Sequence, residues 1–459
     1  MATTTHTPDV VSPVTGDLKK HPPGLYVLFA TEMWERFSFY SMLALFTLYM
    51  QNPNEGFGWT TEQATTLYSW YLMFVYASPL VGGWLADWKL GYRRAVMIGG
   101  VFFMAGHLLL SFRSLTAVYA ALICLVIGNG FFKPNVSTMV GNLYPEGSHL
   151  KDRAYNIFYM GINIGAFIAP IIMEIVKQKW GNHPAFAIAA FGMVISVGIL
   201  WIFKQQVEDP KRNLKKAPVQ AADVAAVSVD APPHGISLQN PIDAVPEWKR
   251  IGALIVIFLI VIVFWMVFHQ NGSTLTYWAN DNTNWNVSGT LSNAINPGWV
   301  VLLTFPLVFF WKWLDKKGKE PSTPTKMAIG MTLTGLSFFV LYFAAKAGEA
   351  TAPAGSPYAF KVSPAWLIIS YGVVTLGELM LSPMGLALVS KVAPIRMRGL
   401  MMGGWFVATA AGNKLTAIGV YWDRWLHSSF FAILGAMALV MAVVLVILLK
   451  PLKKAMPGV

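Results

Sequence analysis

The sequence predicts an all-α membrane protein, and three observations carry that prediction. Of its 459 residues, 55% are hydrophobic and only 12% are charged, against roughly a quarter charged in soluble domains. The apolar residues fall in long runs, such as 254–268 and 431–449, that are almost free of charge. Runs of about 20 residues match a bilayer core of about 30 Å, because a helix rises about 1.5 Å per residue. The runs also lack the period-two alternation of barrel strands. With no water to serve bare backbone groups, helices remain the only spanning structure.

Twelve spans are expected, at roughly 24–50, 63–86, 95–112, 117–142, 154–176, 183–203, 250–279, 290–313, 326–346, 363–390, 397–421 and 427–449. The polar N-tail, 1–23, has no apolar core and does not read as a cleaved signal, so the first helix is expected to serve as the anchor. The first six spans make an N-terminal bundle, 24–204. The stretch 205–249 is rich in Lys, Pro, Ala and Asp, its apolar pieces are too short to span, and it reads as a flexible cytoplasmic linker. The last six spans make a second bundle, 250–450, followed by a C-tail, 451–459.

An even number of spans puts both termini on one side. Of the 34 Lys and Arg residues, 25 fall in the tails, linker and loops of that side, 6 in loops of the other side, and 3 (Arg36, Lys133 and Lys414) inside spans. The positive-inside rule then places the termini in the cytoplasm. It also accounts for the net charge of +12 without a nucleic-acid partner. Two six-span halves joined by a cytoplasmic linker describe a major facilitator fold, with a binding site between the halves near the midplane. The turn Gly83-Trp-Leu-Ala-Asp87-Trp-Lys-Leu-Gly91-Tyr-Arg93-Arg94 resembles that superfamily's loop motif, although an ordinary basic turn explains it as well. The single cysteine, Cys124, excludes an intramolecular disulfide and reads as a small buried hydrophobe.

Charges inside spans are the informative ones, because each costs about 2.5–3.5 kcal/mol near the bilayer centre on insertion scales. Span 1 carries Glu32, Glu35, Arg36 and Tyr40 on one helical face. Arg36 can meet Glu35 beside it or Glu32 one turn back. Two acids against one base leave a surplus acid, a candidate proton carrier, because a buried carboxylate without a cation is costly. A static ion cluster joining helices is the plainer reading. Span 4 carries Lys133 beside the helix-kinking Pro134, as an anion contact or as a snorkelling lysine. Span 7 ends in Trp265-Met-Val-Phe-His269. His269 is a second candidate for proton coupling, since imidazole titrates near neutral pH, and equally a packed core histidine. Span 10 carries Glu378, whose partner is expected to be Lys414, a proton or a ligand ammonium.

Spans 1 and 4 are thus basic where their counterparts in the second half carry a histidine and an acid. A zwitterion with separated ends fits such a cavity, and two or three extended residues reach about 7–10 Å. Tyr40, Tyr68, Trp265 and Trp405 are candidate cavity aromatics that could hold varied side chains, and each is also explained by helix packing. No nucleophile–base pair, metal-ligand cluster or phosphate loop points to an enzyme, and no cofactor is expected beyond protons as the coupling ion.

Glu32-x-x-Glu35-Arg36-Phe37 resembles the first-helix motif of the proton-dependent oligopeptide transporters. Tyr155-x-x-Phe158-Tyr159-Met160-x-Ile162-Asn163-Ile164-Gly165-Ala166-Phe167 is similar to the family's fifth-helix signature at every defined position. Phe132-Lys133-Pro134-Asn135 matches its fourth-helix motif, and 82–96 fits most of another signature, with Lys89 where an apolar residue is usual. The resemblance runs from about residue 24 to 449. It implies symport of di- and tripeptides with protons, by alternating access, through a monomer in the cytoplasmic (inner) membrane. By the same resemblance, Arg36, Lys133 and Asn163 lie near the peptide carboxylate. Glu378 and Asn296 receive the amine, and Tyr40, Tyr68, Trp265 and Trp405 line the cavity. Nitrate or another organic anion is the alternative cargo, and Glu378 argues against it, since an acid repels an anion.

The chain departs from the family at three places. Phe39-Tyr40 stands where two tyrosines are usual, so one hydroxyl is lost. His269 stands where many members carry an acid paired with the fourth-helix lysine, so Lys133 is expected to lack that salt bridge. The 205–249 stretch cannot supply the two extra helices many bacterial members insert, and the short 347–362 loop excludes the large extracellular domain of animal members.

Overall fold

The computed structural model describes residues 20–144, 150–207, 244–394 and 397–457. Most of the expected N-tail and linker, the last two residues of the C-tail, the side chains of Lys151 and Arg153, and the side chain of Asp87 in the turn motif lie outside the described residues. The described chain is built from twelve long helices: α1 (Pro23–Gln51), α2 (Thr61–Leu85), α3 (Tyr92–Leu110), α4 (Leu115–Asn142), α5 (Leu150–Trp180), α6 (Asn182–Ile202), α7 (Glu247–Phe268), α8 (Ile295–Lys316), α9 (Thr323–Glu349), α10 (Pro364–Val392), α11 (Arg398–Leu415) and α12 (His427–Ala455). An isolated bridge between Thr283 and Val362 is the only extended pairing among the described residues. Nine helical stretches are long and apolar enough to cross a bilayer. The remaining three long helices, α1, α2 and α11, are more polar or shorter; α1 holds Glu32, Glu35 and Arg36 within its length.

Local sequence explains where many of these helices begin. Thr60 caps α2 reciprocally with Gln63, and Ser114 and Ser363 cap α4 and α10, each satisfying a backbone N–H that the first turn leaves bare. Proline opens α1, α9 and α10, where a missing N–H costs nothing.

Three boundaries differ from the sequence expectation. The seventh expected span breaks at His269–Gly272 into a tighter turn, then resumes as the short helix Thr274–Asp281. The eleventh breaks likewise at Thr416–Tyr421. Gln270 of the first break donates to the Thr416 carbonyl of the second at 3.3 Å, giving one backbone group that the break leaves loose a partner. Finally α12 continues through Pro451 to Ala455, so most of the expected C-tail is helix.

Buried apolar side chains gather into two large clusters, one drawn from Leu25 through Val207 and the other from Ala253 through Met456. Hydrogen bonds between these two sets concentrate at one end, where α1 finishes and α2 starts. Thr47 Oγ1 donates to the Gly272 carbonyl at 3.3 Å, and Thr65 shares a 3.2 Å hydrogen bond with the Tyr277 hydroxyl. Lys177 Nζ donates to Thr290 Oγ1 at 3.0 Å, and Ser288 to Glu174. Lys414 Nζ reaches Ser69 Oγ at 3.2 Å, and Arg424 pairs with Glu62.

Candidate functional site

The charged face of α1 is buried: Glu32, Glu35 and Arg36 are each 3% exposed or less. Glu35 holds Arg36 through two contacts, one from Nε and one from a terminal guanidinium nitrogen at 2.7 Å. Such a two-point pair fixes the guanidinium plane. Glu32 adds a single contact, Oε1 to Arg36 Nε at 3.3 Å, and its other oxygen has no partner. The two acids therefore play different parts: Glu35 is the paired one, and Glu32 is the surplus one that the residue count requires.

Two further groups complete Arg36's surroundings, and neither was among the expected site residues. Asn129 of α4, fully buried, accepts from Arg36 at 3.4 Å and anchors itself by donating to the Val75 carbonyl at 2.7 Å. The flanking glycines of Gly128-Asn129-Gly130 were the available signal, since they let α4 come close to its neighbours. Phe39, counted in the sequence only as a lost hydroxyl, lies under the guanidinium with its ring centroid 4.8 Å from Cζ, a cation–π contact.

Lys133 makes no ion pair among the described residues. Its ammonium sits over the Tyr76 ring at 4.4 Å. Tyr76 in turn lies edge-on to His269, with centroids 5.6 Å apart, and Trp265 stacks on the other side of the imidazole at 5.2 Å. Where the family resemblance leads one to expect an acid for Lys133, an aromatic ring and an imidazole stand instead. The Nε2 of His269 and the Nε1 of Trp265 are buried without hydrogen-bond partners. Tyr76 was not expected; lying among the aromatics of α2, it carried no distinguishing signal.

On the other side, Asn296 Nδ2 of α8 donates to Glu378 Oε2 of α10 at 3.1 Å. The expected pair of Glu378 with Lys414 is not formed: Lys414 turns to Ser69 and lies over the Trp70 ring at 4.2 Å. Glu378 is placed by a close helix contact. A Cβ on its neighbour Gly377 would meet the Gly330 carbonyl oxygen and Thr334 Oγ1, each at 2.6 Å, so only glycine lets α9 and α10 approach this closely. Tyr40 lies one turn after Arg36 on α1. It also lines a small cavity with Leu43, Pro170, Asn271, Gly272, Asn293, Asn296 and Pro297.

Three expected site residues lie apart from this centre or turn inward on their own helix. Trp405 packs edge-on to Phe258 and fills the space beside Gly385. Tyr68 is fully buried against Gly272, in the region where the halves are joined, and its hydroxyl has no partner. Asn163 donates back to the Tyr159 carbonyl at 2.9 Å within α5.

Comparison with known proteins gives a consistent picture. The model of the POT family matches residues 93–429. An uncharacterised transporter of Bacillus subtilis, YclF, is 32% identical, with 96% of each chain covered. The di-/tripeptide transporter of Lactococcus lactis subsp. lactis is 31% identical, covering 95% of this chain and 97% of its own. The crystal structure of a peptide transporter POT in complex with sulfate superposes with a TM-score of 0.81 at 30% identity, covering 95% of this chain and 96% of that one.

Proposed function

The chain belongs to the POT family, and from that premise we propose that it carries di- and tripeptides into the cell together with protons. One observation carries the reading: a cationic group, Arg36 and Lys133, comes from the first half and a carboxylate–amide pair, Glu378 and Asn296, from the second, and Tyr40 of the first and Asn296 of the second line one small cavity. A small peptide is a zwitterion whose carboxylate suits the first group and whose ammonium suits the second. Glu378 argues against an anionic cargo, because it would repel one. Asn163, Trp265, Tyr68 and Trp405 belong to the peptide-binding set in this reading.

The twelve long helices are read as twelve spans in two six-helix bundles, 24–204 and 250–450, with both termini in the cytoplasm and the single chain as the transporting unit. The distribution of Lys and Arg supports that orientation. The end at which the halves are joined then faces outward, so the conformer is closed to the outside of the cytoplasmic membrane. In the transport cycle, protonation of the first-helix acids, Glu32 and Glu35, loosens Arg36 for the peptide carboxylate, and the halves rock about the site. An inward-negative potential drives the entering charge, at about 2.3 kcal/mol per charge per 100 mV.

Uptake of a labelled dipeptide into liposomes under an imposed proton gradient tests this. Uptake above that of empty liposomes, lost when the gradient is collapsed, is expected. Uptake no greater than that of empty liposomes under any gradient overturns it.

A further inference from the structure

Thr375 lies one turn before Glu378 on α10 and is fully buried. Its hydroxyl donates to the Tyr371 carbonyl at 2.7 Å. A hydroxyl has one hydrogen, so toward any other neighbour Thr375 can only accept. The neighbour is Asn296, whose Nδ2 donates to Thr375 Oγ1 at 2.8 Å. The second hydrogen of the same Nδ2 goes to Glu378 Oε2 at 3.1 Å. Both hydrogens of the amide are used on one side, and no described residue donates to Oδ1.

The opposite rotation of the Asn296 amide would set its oxygen against two acceptors, a hydroxyl oxygen whose hydrogen is engaged and a carboxylate. Glu378 alone does not secure the orientation. When its carboxylate turns to a ligand ammonium, its hold on the amide weakens, and the Thr375 contact is the one that persists.

We infer that Thr375 is a positioning residue for the ammonium subsite: it holds the Asn296 amide with its hydrogens turned to Thr375 and Glu378, so that its oxygen, an acceptor, is the atom left to meet an ammonium. The inference rests on the peptide-transport reading above. An amide turned the other way would point hydrogens at a group that is itself all donors.

The test uses the full chain in liposomes, with Thr375→Val, which keeps the shape and removes the hydroxyl, and Thr375→Ser, which keeps the hydroxyl. Inhibition constants are measured for dialanine and for N-acetyl-dialanine against a labelled dipeptide. Thr375→Val should weaken dialanine about tenfold, the scale of one hydrogen bond to a charged group. N-acetyl-dialanine, which has no ammonium, should be unchanged, and Thr375→Ser should behave as the unsubstituted chain. Adding Thr375→Val to Asn296→Ala should have no further effect, since the residue it positions is gone. Thr375→Ala makes the same comparison should the valine variant not be recovered. Equal weakening of both ligands, no weakening of either, or failure of the serine variant overturns the assignment. If the unsubstituted chain takes up no dipeptide, the transport reading itself fails, which is a separate result.

Discussion

At the scale of residues, the site is an unequal division of two acids around one base. Glu35 grips Arg36 at two points, while Glu32 makes one contact and leaves an oxygen bare. Glu32→Gln should therefore abolish uptake driven by a proton gradient and leave peptide exchange across the membrane at a measurable rate; loss of both would place Glu32 in binding instead. Arg36→Lys keeps the charge but not the planar fork, and it should reduce uptake at least tenfold in the same liposome assay. His269→Gln removes the titratable group, just past the end of α7, that shares the Tyr76 ring with Lys133, so the pH profile of driven uptake should shift; an unchanged profile assigns His269 to packing. The charged members of this site were legible in the sequence because buried charge is costly and seldom accidental. Asn129 and Thr375 were not, because a polar residue in an apolar helix reads first as one that bonds to its own preceding turn. The Lys414 partner was illegible for another reason: sequence alone does not say which helix from the other half stands beside it.

At the scale of elements, long apolar runs marked nearly every helix, and the misreadings sit where helices break. His269–Gly272 and Thr416–Tyr421 lie within apolar pattern that continues on either side, and the reason for the breaks is tertiary. Gln270 bridges them, and Tyr68 occupies the space a side chain on Gly272 would need. Gly272→Ala should force Tyr68 away and weaken the contact between the halves, read as faster labelling of a cysteine at Asn271 by an impermeant maleimide added outside. Cys124→Ser gives the necessary background, since the chain has one cysteine. Gly377→Ala meets the Gly330 carbonyl, which cannot yield as a side chain can. Overpacking of this kind costs about 1–3 kcal/mol, and a fall of several degrees in the unfolding temperature of the detergent-solubilised protein is the expected reading.

At the scale of the whole molecule, two apolar cores meet, and the hydrogen bonds between them among the described residues lie at one end. That the buried apolar residues would gather in two sets, one on each side of the 205–249 stretch, was foreseeable from the spacing of the apolar runs. Which end is shut was not, because it depends on side chains far apart in sequence that the composition does not pair. Thr47, Thr65, Ser69, Ser288 and Thr290 all contribute hydroxyls to this seam. Hydrogen bonds of this sort are worth only about 0.5–1.5 kcal/mol each net between neutral groups, as at Thr47 and Thr65, and about 1.5–3 kcal/mol to the charged Lys177, Glu174 and Lys414, because water can take over either partner. A seam of interlocked leucines would have to expose oily surface at every opening. One stitched by hydroxyls exchanges one set of partners for another of nearly equal worth. The door is therefore hung so that neither position is deep, and the weight that decides between them is left to a proton and a peptide.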